Sequence, residues 1–430
     1  MLELDAEQTL TVTRAHETTA ANTFRITDHP PVFVRGEGPW LYTASGERYL
    51  DLVCGSATTV LGHGHPAHRQ AIEAVSSQGL LHTGTRLPSP WRARLYQRLS
   101  EILPARLDTF QLANSGAEAI EVALKAAQFA TGRRRFVAFS GGYHGRTLGA
   151  LSLTHSARLR DPFSTLDELV DFVPYPFPDD PIGPVHDVTA CLDALRAVLD
   201  RHESDADLPA AIVIEAVQGV GGVIAPPPAF LRGVRDIAGR FGVLLLADEI
   251  WTGMGRTGRM FAFEHSGVVP DLVALGKSLS GALPLSAVAA PAAILKAWPS
   301  GMHTSTFQGN PLSCALACAT LDVLHDERLL DHVAKVVEPT LAEALGPLSK
   351  SSGVSAVRIV GAQAGVDLIT EDGVPDARRM VEMQRAALAR GVLVYGGGWH
   401  GNTLMLVAPA NIGRTELTQG AGVVAELLSD

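Results

Sequence analysis

The chain has 430 residues, of which 46% are apolar and 19% charged, and its formal net charge is −10 at pH 7. This length allows a large buried core, and the composition excludes a mainly disordered protein. Four cysteines without zinc or redox spacing are typical of the reducing cytoplasm, where we expect the protein to reside. No apolar run reaches the roughly 20 residues of a membrane helix, and no basic patch indicates nucleic-acid binding.

Three parts follow one another along the chain. The first 60 residues are predicted to form a helix and a small hairpin that pack with the C-terminal region. Over residues 61–312 apolar strands alternate with helices, as a mostly parallel sheet with helices on both faces requires. Residues 313–430 alternate helices with short strands. The sequence therefore predicts an α/β protein with a large domain over 61–312 and a small α+β domain after it.

A pair of histidines comes at the start of the large domain. His63 and His65 flank Gly64 and precede Pro66. Their spacing fits a metal site, but no third and fourth ligand accompany them in the sequence. We therefore interpret the segment as a structural loop near the functional site and predict no metal.

A strand, a tight turn and a long helix are predicted around residue 115. Ser115, Gly116 and Ala117 form the turn, between Asn114 and Glu118. Backbone N–H groups at the start of a helix have no partner within it and bind phosphate readily. The turn is therefore a candidate phosphate site, and an ordinary helix cap is the alternative.

The next predicted strand begins at Phe136 and ends in a glycine turn. Tyr143, His144 and Arg146 follow this turn. A tyrosine ring placed there can stack on a flat ligand, and the arginine adds a cation. A half-buried loop tyrosine without a ligand is the alternative.

Two further apolar strands each end in a charged residue. The strand that starts at Phe241 leads directly into Asp248, and Leu272–Leu275 is followed by Gly276 and Lys277. Continuous apolar runs are typical of strands buried on both faces of a parallel sheet, with functional groups at their carboxyl ends. A desolvated lysine forms a Schiff base with an aldehyde, and an aspartate can pair with a pyridinium nitrogen. Pyridoxal phosphate requires these two groups.

Each of the two residues also has a structural alternative. Asp248 is a suitable helix N-cap. The ammonium group of Lys277 can extend to solvent from the end of its strand. The prediction of a cofactor site therefore depends on the several motifs occurring together.

Together these motifs resemble the class III (ω-type) family of pyridoxal-phosphate-dependent aminotransferases, and the resemblance covers most of the chain. The segments that carry it are Gly36–Asp51, Leu61–Pro66, Asn114–Glu118, Tyr143–Arg146, Glu215–Gly219, Asp248–Glu249, Gly276–Lys277 and Thr304–Pro311. The resemblance implies a fold-type-I transferase with a mostly parallel central sheet, a small α+β domain and pyridoxal 5'-phosphate as cofactor.

The resemblance also implies roles for the residues around the cofactor ring. Lys277 is the Schiff-base lysine and proton shuttle, and Asp248 is the partner of the pyridine nitrogen. Tyr143 stacks on the ring, with His144 next to it in the site. Ile250 contacts the opposite face of the ring.

Further roles concern the phosphate and the neighbouring subunit. The turn Ser115, Gly116 and Ala117 holds the phosphate, and Glu215 lies near the ring. Thr306 reaches the phosphate of the neighbouring subunit, which implies a homodimer with shared active sites. A solvent-facing turn residue is the alternative for Thr306.

Three positions depart from the family pattern. Trp251 stands where a glutamine commonly bonds the phenolic oxygen of the cofactor; its indole N–H can still donate, but a larger ring must fit. Val220 and Met405 stand where many members have a glutamate and an arginine that switch for dicarboxylates. Losing both is consistent, because either charge alone would be buried and unpaired. Unrelated drift at the two positions is the alternative.

These departures bear on the substrate. Arg146 remains either as an anion anchor or as a packing residue, and His82 and Arg86 are candidate contacts. Without the switch pair, Val220 and Met405 favour a substrate that lacks an α-carboxylate. We expect a non-standard amine, such as an amino sugar or an aminoglycoside intermediate of antibiotic biosynthesis.

The expected reaction moves an amino group from an amine donor to a carbonyl acceptor. The same cofactor supports epimerisation, amine migration and elimination, and family membership does not choose among them. A non-catalytic binding protein is disfavoured by Lys277 and Asp248. An NAD enzyme is disfavoured because no Gly-x-Gly-x-x-Gly motif follows a predicted strand.

Overall fold

The computed structural model describes residues 4–163, 167–177, 187–201 and 207–429. The strands are β1 (Phe33–Glu37), β2 (Trp40–Thr43), β3 (Arg48–Asp51), β4 (Thr109–Ala113), β5 (Phe136–Phe139), β6 (Val170–Val173), β7 (Ala211–Ile214), β8 (Leu244–Asp248), β9 (Leu272–Leu275), β10 (Ser286–Ala290), β11 (Val354–Val360), β12 (Gln363–Leu368), β13 (Val392–Leu393), β14 (Tyr395–Gly397) and β15 (Thr403–Val407). They form three sheets.

The helical segments lie mostly between the strands and cover the sheets. They are α1 (Ala6–His16), α2 (Cys54–Ala57), α3 (Pro66–Ser76), α4 (Pro90–Ile102), α5 (Gly116–Thr131), α6 (Leu148–Ser152), α7 (Ala157–Arg160), α8 (Val188–Asp200), α9 (Pro228–Phe241), α10 (Ala292–Leu295), α11 (Pro311–Asp326), α12 (Leu329–His332), α13 (Glu338–Leu345), α14 (Ala377–Ala389) and α15 (Arg414–Ser429). None of the helices in the described ranges is long and apolar enough to cross a bilayer.

The central sheet has seven strands in the order β4-β10-β9-β8-β7-β5-β6. The neighbours from β9 to β6 pair in parallel, and only β10 runs antiparallel to β4 and β9. Asp248 pairs with Ala274 in the register of β8 and β9. The carboxyl ends of these two strands therefore lie side by side, as the sequence analysis requires of Asp248 and Lys277.

Both faces of the central sheet are buried, which confirms the predicted α/β architecture. Along β8 the side chains alternate between two cores: Leu245 packs with helix α9, and Leu246 packs with helix α5. Strand β9 repeats the alternation, with Val273 on the α9 side and Ala274 on the α5 side. Because both faces are covered, the apolar runs have no polar alternation.

Two smaller sheets flank the central one. The first has the order β1-β2-β3-β13, so the strands of the N-terminal segment pair with a strand from the C-terminal region. The other is the antiparallel sheet β11-β12-β15-β14. The domain boundaries near residues 60 and 312 stay a prediction.

A buried ion pair joins the sheet β11-β12-β15-β14 to a loop of the large domain. Arg358 donates two hydrogen bonds of 2.7 and 2.6 Å to Asp367, and its Nε donates to the carbonyl of Gly222 at 2.9 Å. Thr403 also donates to Asp367, at 2.6 Å. The guanidinium lies 5.2 Å from the ring centroid of Phe177. The pair is thus fully hydrogen-bonded, which is what a buried ion pair needs.

We expect Asp367→Leu to lower the free energy of unfolding by about 3 kcal/mol, because the charge of Arg358 would stay buried without a carboxylate. Denaturant unfolding of the purified protein measures this. Asp331→Leu is the matched control: Asp331 pairs with Arg328 on the surface, so its loss should change stability little. Equal, small effects of the two variants would contradict the assignment.

Candidate active site

Lys277 lies directly after β9, at the start of a short 3-10 turn, Lys277–Leu279. Its φ is +40°, in the left-handed region that non-glycine residues rarely adopt. Burial lowers the pKa of the amine from its ordinary 10.5 to about 8; the charge of Arg256 adds to this, and the charges of Asp248 and Glu215 oppose it. The side chain therefore has the readily released proton expected of a reactive lysine.

Asp248 and His144 form a buried pair beside Lys277. His144 Nδ1 lies 2.7 Å from one carboxylate oxygen of Asp248, and the other oxygen accepts the backbone N–H of Ile250 at 3.0 Å. Burial lowers the pKa of His144, but its hydrogen bond to Asp248 and the charge of Asp248 raise it more, so the net shift is upward. The histidine and the amide of Ile250 thus fix the orientation of the carboxylate.

Glu215 ties together the loops that follow two neighbouring strands. Its carboxylate accepts the backbone N–H of Tyr143 and that of Gly219, both at 2.9 Å. Burial raises the pKa of Glu215 to about 7, the positive charge of His144 opposes this rise and the charge of Asp248 adds to it. Glu215 therefore fixes the backbone of Tyr143 relative to the loop after β7.

The candidate phosphate turn lies at the start of α5. Ser115 is the N-cap, and its Oγ accepts the N–H of Glu118 at 3.2 Å. A Cβ added at Gly116 would lie 2.7 Å from Cγ2 of Ile250, so only glycine fits there. The remaining first-turn amides, including that of Ala117, have no partner within the helix and attract an anion.

These residues fit pyridoxal phosphate. The turn Ser115–Ala117 offers amide donors to a phosphate, and the Asp248–His144 pair offers a fixed carboxylate to a ring nitrogen. Lys277 offers an amine of lowered pKa. Ile250 packs beside both Gly116 and Gly276, since a Cβ added at either glycine would lie 2.7 or 3.2 Å from its Cγ2.

The indole N–H of Trp251 is hydrogen-bonded to another side chain of the protein. Its N–H donates to Oε1 of Gln363 at 2.8 Å, and the residue is 4% exposed. The sequence left open a donation to the cofactor, but the only indole donor is used by Gln363. Lys277 Nζ lies 3.8 Å from the Trp251 ring centroid.

Val220 and Met405 lie close to each other, as expected if they replace a glutamate and an arginine that pair in other family members. A Cβ added at Gly397 would lie 2.7 Å from Sδ of Met405 and 2.8 Å from the carbonyl oxygen of Val220. Both residues belong to an apolar wall beside Trp251. The wall consists of Cys54, Ala57, Val223, Trp251, Met405 and Val407, with Val220, Val360 and Tyr395 packed against it.

Arg146 is exposed and lies near Tyr395. Burial raises the pKa of the Tyr395 hydroxyl, Tyr143 adds to this rise, and the charges of Arg146 and Arg25 oppose it. The charges of both arginines therefore act on this hydroxyl, one from the loop after β5 and one from the N-terminal segment.

The remaining predicted residues lie on two adjacent surface loops. The ring of His82 is 5.2 Å from that of Phe307, and Arg86 and Thr306 are exposed. Ser305, next to Thr306, accepts a hydrogen bond of 2.7 Å from the side chain of Asn114, which precedes the phosphate turn. A cavity of about 810 Å³ between α1, the hairpin β2–β3 and α14 does not include Lys277.

The two histidines of the N-terminal loop have protein partners. His63 bonds Asp51 at 2.8 Å, and His65 lies 3.6 Å from Glu327. Within the described ranges no group of three or more histidines, cysteines, aspartates or glutamates is arranged to hold a metal.

Sequence reasoning missed two buried residues of the site. Gln363 fixes Trp251 from β12. Arg256 is fully buried and donates to the carbonyl of Ala408 at 2.5 Å and to Ser278 at 3.4 Å. In the sequence Arg256 stands between Gly255 and Gly258. This pattern does not distinguish a buried arginine from a surface one, so the role of Arg256 could not be predicted.

The comparisons with known proteins agree with this geometry. Residues 25–428 match the family model described as aminotransferase class-III. The chain is 36% identical over 401 residues to the diaminobutyrate--2-oxoglutarate aminotransferase of Haemophilus influenzae, covering 90% of this chain and 88% of that protein. It is 38% identical to the acetylornithine aminotransferase of Methanopyrus kandleri, covering 93% and 94%. It is 34% identical to the 2-aminoadipate transaminase of Pseudomonas putida, covering 94% and 96%.

Solved structures show the same fold. An (S)-enantioselective omega-transaminase from Thermomicrobium roseum superposes with a TM-score of 0.91 at 28% identity, covering all of both chains. A transaminase from a marine Virgibacillus has a TM-score of 0.89 at 21% identity, covering 98% of both chains, and supports the fold alone. The resemblance drawn from the sequence motifs is confirmed, and the chain belongs to the class III aminotransferases, which are pyridoxal-phosphate-dependent enzymes.

Proposed function

We propose that this aminotransferase takes its amino group from a primary amine whose reacting carbon carries no carboxylate. The observation that supports this proposal is the neutral wall beside Lys277, in which Val220 and Met405 pack together. A carboxylate on the reacting carbon would face this wall without a cation, at the cost of desolvation. Amino sugars and aminoglycoside intermediates are candidate donors of this kind.

Each residue of the site has its own role in the proposed reaction. Pyridoxal phosphate supplies an electron-withdrawing ring, which makes the proton on the carbon bearing the amine acidic. The amine of Lys277 accepts that proton and returns it, and a pKa of about 8 suits both steps. Asp248, oriented by His144, would hold the ring nitrogen in its protonated form. The amides of Ser115–Ala117 would bind the phosphate.

A second candidate donor is an amino acid that reacts at an amine distant from its carboxylate. The charges of Arg146 and Arg25, which both act on the Tyr395 hydroxyl, favour it, because cations in this region would attract a distal carboxylate. The names of the compared relatives contain diaminobutyrate, acetylornithine and 2-aminoadipate, and no amino sugar. His82 and Arg86 are further candidate contacts of either substrate.

A donor screen on the purified enzyme separates the two candidates. We expect an amino sugar to change the visible absorbance of the bound cofactor, and Arg146→Gln to leave that reaction unchanged. If a distal amine of an amino acid is the donor, the same variant should lower kcat/KM by about 100-fold, the loss of one charged hydrogen bond pair. Reaction with glutamate and inertness of every amine without an α-carboxylate would contradict the proposal.

The class of chemistry is tested with Asp248→Asn. We expect the variant to bind pyridoxal phosphate but to lose at least about 100-fold in kcat, because a neutral amide cannot hold the proton on the ring nitrogen. Asp236→Asn, at an exposed position of α9, is the control and should keep full activity. Product formed without any carbonyl acceptor would instead indicate epimerisation, amine migration or elimination.

The buried positive charge of Lys277 should lower the free energy of unfolding. Each pKa unit corresponds to about 1.4 kcal/mol, so we expect Lys277→Met to raise the free energy of unfolding of the cofactor-free protein by about 1–3 kcal/mol at pH 7. A lowered folded-state pKa destabilises the protein while the amine is charged, so the gain should shrink as pH rises from about 8 to about 10.5. Denaturant unfolding at several pH values measures it; a variant less stable than wild type at pH 7 would contradict this origin of the pKa.

We also propose a homodimer in which Thr306 reaches the phosphate turn of the neighbouring subunit. An exposed apolar patch near Thr306 supports this, since patches of this kind mark protein interfaces. The patch consists of Leu80, Leu81, Leu87, Met302 and Phe307, which are 47–63% exposed. The contact between His82 and Phe307 brings the two loops of the patch together.

The dimer is tested by placing a charge in the patch. Phe307→Asp should give monomers in sedimentation velocity at micromolar concentration, because a carboxylate would be buried without a partner. Val374→Asp, at another exposed apolar side chain, should leave the dimer intact. A wild-type protein that sediments as a monomer would overturn the proposal.

A further inference from the structure

Trp251 is held on several sides. A Cβ added at Gly219 would lie 2.4 Å from Cγ of the indole, so only a glycine allows the ring its place. The ring of Tyr395 meets it nearly edge-on, with centroids 5.8 Å apart and planes at 65°. The indole N–H is bonded to Gln363. With 4% of its surface exposed, the ring has little freedom to rotate.

Gln363 fixes the plane of the ring from the far side. It is fully buried in β12, and its Oε1 accepts the indole N–H at 2.8 Å. The orientation of the amide follows from this bond, because an indole nitrogen only donates. No hydrogen-bond partner for Nε2 of Gln363 is found among the described residues. The bond to Trp251 is therefore the one hydrogen bond found for this side-chain amide among the described residues.

The amine of Lys277 is the cation that the indole faces. Its Nζ lies 3.8 Å from the ring centroid, within the distance at which a cation is attracted to an indole. Three other charged groups act on this amine: Asp248 at the end of β8, Glu215 after β7, and Arg256 in the loop after β8. The indole is the one aromatic ring in contact with the ammonium among the cation–ring pairs of the described residues.

We propose that Trp251 is a positioning residue for Lys277. The face of the indole binds the protonated amine through a cation–π contact, and Gln363 holds the indole in the plane that makes this contact. We call the indole face of Trp251 the seat of the amine. The seat acts whenever the amine of Lys277 is free, which in an aminotransferase is the state in which the cofactor carries the amino group. It keeps Nζ beside Asp248 instead of letting the four-carbon side chain extend to solvent.

The seat has a measurable consequence for protonation. An aromatic face stabilises the ammonium over the neutral amine, so it opposes the effect of burial on Lys277. Removing the face while keeping the site apolar should therefore lower the pKa of the amine further. Leucine does this at position 251, and phenylalanine keeps a smaller aromatic face.

Trace labelling of the cofactor-free protein with acetic anhydride from pH 6 to pH 11 tests the seat, with mass spectrometry of the peptide that contains Lys277. We expect the labelling midpoint of Trp251→Leu to fall by about 0.5–1 unit and that of Trp251→Phe to fall by less. Gln363→Leu, which frees the ring, should also lower the midpoint. Exposed Lys296 is the internal reference and should label alike in all variants.

Several results would overturn the seat. One is a midpoint of Trp251→Leu equal to or above that of wild type; another is equal midpoints for the leucine and phenylalanine variants. If the leucine variant does not fold, the phenylalanine and Gln363→Leu variants decide, and unchanged midpoints in both reject the proposal.

The inference rests on the proposed function only in taking Lys277 as the reactive amine. Different experiments would contradict the seat and the role of Lys277. Lys277→Ala should not develop the visible absorbance of a lysine-bound cofactor when pyridoxal phosphate is added. Normal absorbance in that variant would reject Lys277 as the reactive amine. Unshifted labelling midpoints, with the expected loss of absorbance in Lys277→Ala, would reject the seat alone.

Discussion

The site depends on the parallel pairing of β8 with β9. Their register brings the carboxyl ends of both strands to one edge of the sheet, and Asp248 and Lys277 follow from there as neighbours. The two flanking cores fix that register, because successive side chains of each strand pack against different helices. A shift by one residue would turn every one of these side chains to the wrong face. The proposed catalytic pair is thus placed by packing at a distance from the site.

The surroundings of Lys277 differ in polarity from one side to the other. On one side lie hydrogen-bonded charges, with His144 and Glu215 around Asp248. On the other side lies the apolar wall that contains Trp251 and Met405. Under the proposed function, a substrate amine entering between them would meet a charged side that supports proton transfer and a neutral side that selects its substituents.

Much of the fold and of the cofactor site could be predicted from the sequence, because these features are local. The apolar runs of β8 and β9 and the turn at Ser115 each occupy a few consecutive residues with a clear physical meaning. The bond from Trp251 to Gln363 was not predictable, because it joins the large domain to β12 across a long stretch of chain. The left-handed φ of Lys277 was not predictable either, since nothing in a lysine favours it. The exposure of Thr306 and Arg146 could not be predicted either, because it depends on how the whole chain folds.

The pairing of β3 with β13 has a consequence for how the protein is made. Strand β3 ends at Asp51, but the strand that completes its sheet begins at Val392. During synthesis β3 therefore emerges long before β13 and has an open edge until β13 has left the ribosome. Closing so long a loop is slow, and an open edge invites pairing with other chains. The nascent chain should thus depend on chaperones more than its well-packed central sheet alone would suggest.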